Sequence, residues 1–139
     1  MSDTVLDWMI DNPGVYWGLG DGEESGQFVG RVSVARGLGR SVELGYEAWS
    51  DREGLQHAER SRLAPTFDGG AQLIASITES PVPLIFREAS RGEFVTADGP
   101  EMKILITTNA DTISYAWWWA PPGEVVREQS KVFVRRVMS

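Results

Sequence analysis

Residues that could carry out acid–base or nucleophilic chemistry are scarce in this sequence. His57 is the only histidine, and the chain has no cysteine, which excludes disulfides, thiolate metal sites and cysteine nucleophiles. A catalytic triad would have to pair His57 with Ser61 on one predicted strand, and no acid is obviously placed to orient the ring. No nucleophile elbow, phosphate loop or HExxH motif is present. We therefore expect a protein without catalysis, metal site or cofactor.

Aromatic residues indicate a different activity, the binding of an apolar molecule. Trp117, Trp118 and Trp119 are consecutive, and consecutive side chains of a strand point to opposite faces. Trp117 and Trp119 then share a face with Tyr115, and Tyr46 lies on the apolar face of an earlier strand. If these faces point inward, the rings either line a ligand cavity or fill a collapsed core. Trp118 would lie on the outer face, where it could cover the helix or form a patch for a partner, including a second copy in a homodimer.

The elements that must position these residues are mostly strands. Runs with period-two alternation, separated by turns rich in Gly, Pro, Asn and Asp, predict an antiparallel sandwich or barrel of nine or ten strands. A helix predicted over residues 3–10, capped by Asp3 or Thr4, could cover one end of a barrel or pack outside the sheet. Residues 87–92 are predicted to be a polar link. The predicted strands span residues 15–19, 27–36, 40–49, 55–64, 71–78, 82–86, 93–96, 102–107, 112–119 and 129–138.

The strand predicted over residues 55–64 is unusually polar. His57, Glu59 and Ser61 share one face, and Arg60 and Arg62 share the other. The strand either contributes polar groups to a cavity or is an exposed edge protected by charge. We expect His57 to be a half-exposed strand residue hydrogen-bonded to a carboxylate such as Glu59.

Composition restricts the class of protein further. The chain has 139 residues and a net charge of −7, which suits a single domain spanning residues 1–139. An acidic chain is a poor match for nucleic acid or an anionic membrane surface, so neither is an expected partner. The first residues have no basic region and no long apolar run, and no stretch is long enough to cross a membrane, so a cytoplasmic location is expected.

The order of these features resembles the calycin superfamily of lipocalin-like and fatty-acid-binding-protein-like barrels, and most closely bacterial domains related to nitrobindin. The matching features are the leading helix, a start similar to GxWxG at Gly14, Trp17 and Gly18, the long opening hairpin and a final strand ending in Arg-Arg-Val. The resemblance implies an all-β, up-and-down antiparallel barrel. It also implies an internal cavity for a small hydrophobic or amphipathic molecule.

The same resemblance implies two kinds of polar site. Fatty-acid-binding proteins use an arginine of the last strands to bind the ligand carboxylate, a role that Arg135 or Arg136 could take, because a guanidinium matches a carboxylate bidentately. Nitrobindin-like proteins bind haem through a histidine near the C-terminus, where this chain has none. Haem would therefore require His57, or Tyr46 or Tyr115 as an axial ligand. The cavity rings Tyr46, Tyr115, Trp117 and Trp119 with one of the arginines form the expected ligand site, and a haem barrel and an interaction module with a filled barrel are the alternatives.

Overall fold

The computed structural model describes residues 4–98 and 101–138. In this part of the chain, one short helix precedes ten antiparallel strands that close into a barrel, which confirms the fold predicted from the sequence. Each strand pairs with its neighbours in sequence, and β1 pairs with β10 to complete the ring. The elements are α1 (Val5–Asp11), β1 (Gly14–Gly22), β2 (Gly26–Arg36), β3 (Val42–Ser50), β4 (Gly54–Pro65), β5 (Ala71–Ile77), β6 (Leu84–Ser90), β7 (Glu93–Thr96), β8 (Lys103–Asn109), β9 (Thr112–Trp119) and β10 (Arg127–Met138).

The prediction of a polar link over residues 87–92 was wrong for most of its length. β6 continues through Ser90, with Arg87 opposite Val95 and Glu88 opposite Phe94 of β7. Polar side chains are compatible with a strand whose outer face meets water, so composition alone did not reveal the pairing. Val82, predicted to begin this strand, instead lies in the preceding turn, where its backbone bonds the Ser80 hydroxyl.

Alternate residues of the strands point into the barrel and form its core. On β2, for example, Phe28, Val32 and Val34 are buried, and Val29 between them is exposed. β10 shows the same alternation, with Val132 and Val134 fully buried and Phe133 between them exposed. The buried side chains form one continuous cluster, so the strands and the helix share a single hydrophobic core.

Helix α1 covers one end of the barrel. The Thr4 hydroxyl caps its first turn by accepting from the Asp7 backbone N–H at 3.0 Å. Val5 and Met9 are completely buried, and the helix contacts β2, β3, β4 and β8. Burial of this apolar face outweighs the weak intrinsic stability of a seven-residue helix. The helix thus lies over the barrel end rather than on the outside of the sheet.

The outside of the barrel carries an apolar row that crosses neighbouring strands at one level. Leu19 of β1 lies opposite both Phe133 of β10 and Val29 of β2, and Val29 lies opposite Trp49 of β3. Leu19, Phe133 and Val29 are exposed, whereas Trp118 is half-buried with the Lys103 ammonium 4.4 Å from its ring centroid. Trp118 is therefore less exposed than the side chains of this row, and its role as a partner contact stays a prediction.

Candidate functional site

The barrel has a cavity at the end opposite the helix. β2 shows the arrangement directly, because Arg36 at its end bonds the Ile10 carbonyl of α1, whereas Phe28 near its beginning lines the cavity. The cavity and its open mouth, which reaches Leu19, Val29 and Trp49 on the outer face, together have a volume of about 1060 Å³, large enough for a drug-sized molecule. Its inner wall is mainly aromatic and apolar, formed by Phe28, Tyr46, Ala48, His57, Ile77, Met102, Trp117 and Trp119.

A buried carboxylate, Glu59, lies at the base of this wall. Its side chain is 1% exposed, and it accepts hydrogen bonds from the Tyr115 hydroxyl at 2.6 Å and the Trp117 indole N–H at 2.5 Å. His57 Nε2 lies 2.7 Å from the same oxygen as the indole. All three partners can donate a hydrogen bond to the carboxylate oxygens. These hydrogen bonds offset part of the cost of burying the carboxylate.

His57 connects this buried carboxylate to a second one nearer to solvent. Its Nδ1 lies 2.7 Å from Glu79 Oε2 and 2.8 Å from Oε1, and the Thr78 hydroxyl donates to Oε1 at 2.8 Å. The Glu79 side chain is 55% exposed, and the His57 side chain is 18% exposed. Glu59, His57 and Glu79 therefore form a chain from the barrel interior to the cavity, which we call the carboxylate–histidine chain.

The two carboxylates set the charge of the imidazole. Burial lowers the pKa of His57, but hydrogen bonds and charge from Glu59 and Glu79 raise it by more, so its net pKa is above the ordinary 6.5. A raised folded pKa stabilises the protein fully below about pH 6.5, and this stabilisation is lost as the pH rises through the folded pKa. Burial raises the pKa of Glu79, but His57 and Thr78 lower it by more, so this carboxylate stabilises the fold above its ordinary 4.5.

The tyrosines of the site stay protonated. Burial, with the charge of Glu59, raises the pKa of Tyr115 well above its ordinary value. The same two causes raise the pKa of Tyr46, whose ring centroid lies 5.1 Å from that of Tyr115. Both side chains can therefore act as neutral hydrogen-bonding and apolar groups in this wall.

The structure brings together the aromatic residues singled out from the sequence. Tyr46, Trp117 and Trp119 line the cavity, and Tyr115 is buried beside them with its hydroxyl on Glu59. Trp117 and Trp119 contact each other edge to face, with ring centroids 6.3 Å apart. The inward orientation considered for the four rings is the one found.

The two arginines lie elsewhere. Arg135 is on the outer face of β10, 62% exposed and 3.1 Å from Asp111. Arg136 is on the inward parity, but it lies opposite Tyr16 at the end covered by the helix. Neither lines the cavity. The ligand anchor expected at Arg135 or Arg136 is therefore not positioned to meet a molecule in this cavity.

The polar groups that the cavity does contain were only partly recognised from the sequence. Glu59 was expected to bond His57, and the observed 2.7 Å contact agrees with that expectation. Its burial follows from sharing the inward parity of β4 with Ser61 and Leu63, both buried. Glu79 was not foreseen, because it follows β5 in a turn and reaches His57 only through the pairing of β4 with β5.

The side chains do not fit an axial haem ligand as they stand. Both ring nitrogens of His57 are bonded to carboxylates, and an iron ligand needs one of them free. Tyr115 donates its hydroxyl to Glu59, and the pKa values of Tyr46 and Tyr115 are raised, which disfavours the phenolate that binds iron. Within the described residues, no group of three or more His, Asp or Glu side chains is arranged to hold a metal ion.

The fold and the site define a ten-stranded antiparallel barrel, covered by a helix at one end and open to an aromatic cavity at the other. A barrel similar to this one occurs in the crystal structure of Rv2717c from M. tuberculosis, with a TM-score of 0.72 over 94% of this chain and 96% of that chain. The sequence identity is 12%, so the likeness shows the fold alone. No protein-family model and no curated protein matches the sequence. Within residues 4–98 and 101–138, no helix has the length and apolar character needed to cross a membrane.

Proposed function

We propose that this barrel binds a small amphipathic molecule in its cavity and does not transform it chemically. The observation that carries the proposal is the open cavity of about 1060 Å³ with aromatic rings on its wall. The carboxylate–histidine chain runs from the base of this wall to the more exposed Glu79. Apolar walls with a few fixed polar groups are characteristic of small-molecule sites. The helix-then-barrel order also supports a place among calycin-like barrels related to nitrobindin, which is part of this proposal.

The alternatives receive less support from the same geometry. An interaction module with a filled barrel would need its core to occupy the space beside Tyr46 and Trp119, where the cavity lies. A haem barrel would need His57 to leave one of its two carboxylate partners. A binding site for a ligand that reaches the aromatic wall requires neither change.

A cavity-filling variant tests the proposal. Ala48 is 5% exposed and lines the cavity, so Ala48→Phe would place a ring in the space that a ligand needs. We expect the neutral fluorescent dye Nile red to bind the wild-type protein saturably, and the variant to bind it at least about tenfold more weakly. Ala35→Phe is the matched control, because Ala35 is exposed on the outer face of β2 and does not line the cavity.

Native mass spectrometry of the freshly purified protein supplies an independent readout. A released small-molecule mass after denaturation would identify the class of ligand directly. Equal dye affinity in wild type, Ala48→Phe and Ala35→Phe would contradict the proposal, because binding would then take place outside the cavity. Thermal melting of both variants shows whether each is folded.

A further inference from the structure

The charged groups around the cavity are mostly acidic. Among the described residues that line it, the four carboxylates of Glu24, Asp51, Glu53 and Glu79 stand against one arginine, Arg52, and the imidazole of His57. The buried Glu59 adds a further carboxylate directly behind His57. A cleft lined by one sign of charge concentrates ligands of the opposite sign, and low-dielectric walls strengthen this effect.

Glu79 is the acidic group best placed to bind such a ligand. His57 and the Thr78 hydroxyl hold its carboxylate in one position, so little side-chain entropy remains to be lost on binding. A carboxylate has about four acceptor positions, and these two neighbours use only part of them. Its 55% exposure leaves the remaining positions accessible from the cavity.

The aromatic wall next to Glu79 favours the same kind of ligand. The His57 ring contacts both Tyr46 and Trp117, with ring-centroid distances of 5.6 Å and 6.2 Å. The faces of Tyr and Trp rings attract cations through their quadrupole, and they also cover the apolar body of a ligand. A cation held by Glu79 would therefore have aromatic surface within reach.

An anionic ligand would find few partners here. Both ring nitrogens of His57 are committed to carboxylates, and Arg135 and Arg136 lie outside the cavity. Arg52 is exposed on the turn between β3 and β4, beside the lining carboxylates of Asp51 and Glu53. A ligand carboxylate entering the cavity would meet like charge from several sides.

We infer that the ligand of this cavity is an organic cation, an ammonium group on an aromatic or other apolar body, with the ammonium bound by Glu79. This inference rests on the proposed function and narrows it to a class of ligand. The apolar body would lie against Tyr46, Trp117 and Trp119. The ammonium would donate to a lone-pair position of Glu79 that His57 Nδ1, which lies near both carboxylate oxygens, and the Thr78 hydroxyl do not use.

A set of ligands matched in shape tests the charge preference. 1-Naphthylmethylamine, 1-naphthalenemethanol and 1-naphthoic acid share one ring system and are cationic, neutral and anionic near neutral pH. We expect isothermal titration calorimetry at low salt to show the amine binding at least about tenfold more tightly than the alcohol. The acid should bind more weakly than the alcohol. High salt should weaken the binding of the amine more than the binding of the alcohol.

A pair of variants locates the anchor. Glu79→Gln removes the charge with little change of shape, so amine affinity should fall about five- to tenfold, whereas alcohol affinity should stay within about twofold. Glu43→Gln removes a carboxylate from the exposed outer face of β3 and should change neither affinity. The comparison of the three ligands on the wild-type protein does not depend on either variant folding.

Each outcome separates this inference from the proposed function. Equal affinity for amine and alcohol, or tightest binding of the acid, overturns the cationic ligand and leaves a cavity that binds apolar molecules. Loss of affinity for amine and alcohol alike in Glu79→Gln removes Glu79 as the cation anchor. If none of the three ligands binds and Nile red does not bind either, the inference and the proposed function both fail.

Discussion

Glu59→Gln tests whether the buried carboxylate organises the base of the cavity. The carboxylate accepts from Tyr115 at one oxygen and from Trp117 and His57 at the other. A glutamine has one accepting oxygen and an NH₂ group that only donates. If its oxygen keeps Trp117 and His57, its NH₂ faces the Tyr115 hydroxyl, which must rotate to accept and leave its own proton unpaired.

The expected cost follows from these contacts. Hydrogen bonds to a charged group contribute roughly 1.5–3 kcal/mol and neutral ones about 0.5–1.5, so each of the two retained bonds loses about 1 kcal/mol. The unpaired Tyr115 proton, fully buried, costs about 1–2 kcal/mol more. We therefore expect the free energy of unfolding to fall by about 3–4 kcal/mol.

Urea unfolding monitored by tryptophan emission measures this loss. With a slope of about 2 kcal/mol per molar urea, the midpoint should fall by about 1.5–2 M. The exposed control Glu43→Gln should stay within about 0.5 kcal/mol of wild type. A midpoint in Glu59→Gln within about 0.3 M of wild type, or above it, would refute the reasoning. The three donors would then contribute less than the desolvation of the carboxylate costs.

Three further predictions concern other parts of the barrel. As the pH rises above about 6.5, the free energy of unfolding should fall more steeply in wild type than in His57→Gln, because the imidazolium loses its proton in the folded state. Parallel curves from urea titrations would contradict this. Gly18→Ala should destabilise the fold by about 3 kcal/mol or more, because its Cβ would lie 1.8 Å from the Phe133 carbonyl oxygen. The control Gly26→Ala should cost about 1–2 kcal/mol through its positive φ alone, because its Cβ would have no atom within 4 Å. Equal melting temperatures for the two variants would contradict this prediction. Thr4→Ala should cost about 1 kcal/mol by removing the helix cap, and Thr4→Ser should restore most of it in the same thermal melts.

The architecture of this barrel could be predicted because its determinants are local. Alternation of apolar and polar residues, as in Phe28, Val32 and Val34 of β2, directly reflects one buried and one wet face. Pro13-Gly14 and the other turn residues separate these runs. The prediction of a polar link at residues 87–92 was wrong because this part of β6 is mostly polar. A strand with few apolar residues shows little alternation, so the sequence pattern does not reveal it.

The site could be predicted only where a side chain's role follows from its own strand. Residues two apart on a strand share a face, which is enough to predict that Trp117 and Trp119 lie together and that Glu59 lies beside His57. The His57–Glu79 contact depends on how β4 and β5 are aligned, which the turn between them does not reveal. Arg136 also depends on long-range structure. The alternation of β10 predicts that it faces inward, but not which end of the barrel it occupies.

The ring closure between β1 and β10 has a consequence for how the chain folds. Every other ladder of the described barrel joins strands adjacent in sequence, and can form as a hairpin while the rest of the chain is loose. The β1–β10 ladder joins segments such as those around Tyr16 and Arg136, from opposite ends of the sequence, and bears the largest loop-closure entropy. We expect this ladder to form late. Until it does, β1 and β10 present unpaired backbone edges, with Leu19 and Phe133 on their outer faces, so aggregation during refolding should depend on how quickly this one ladder closes.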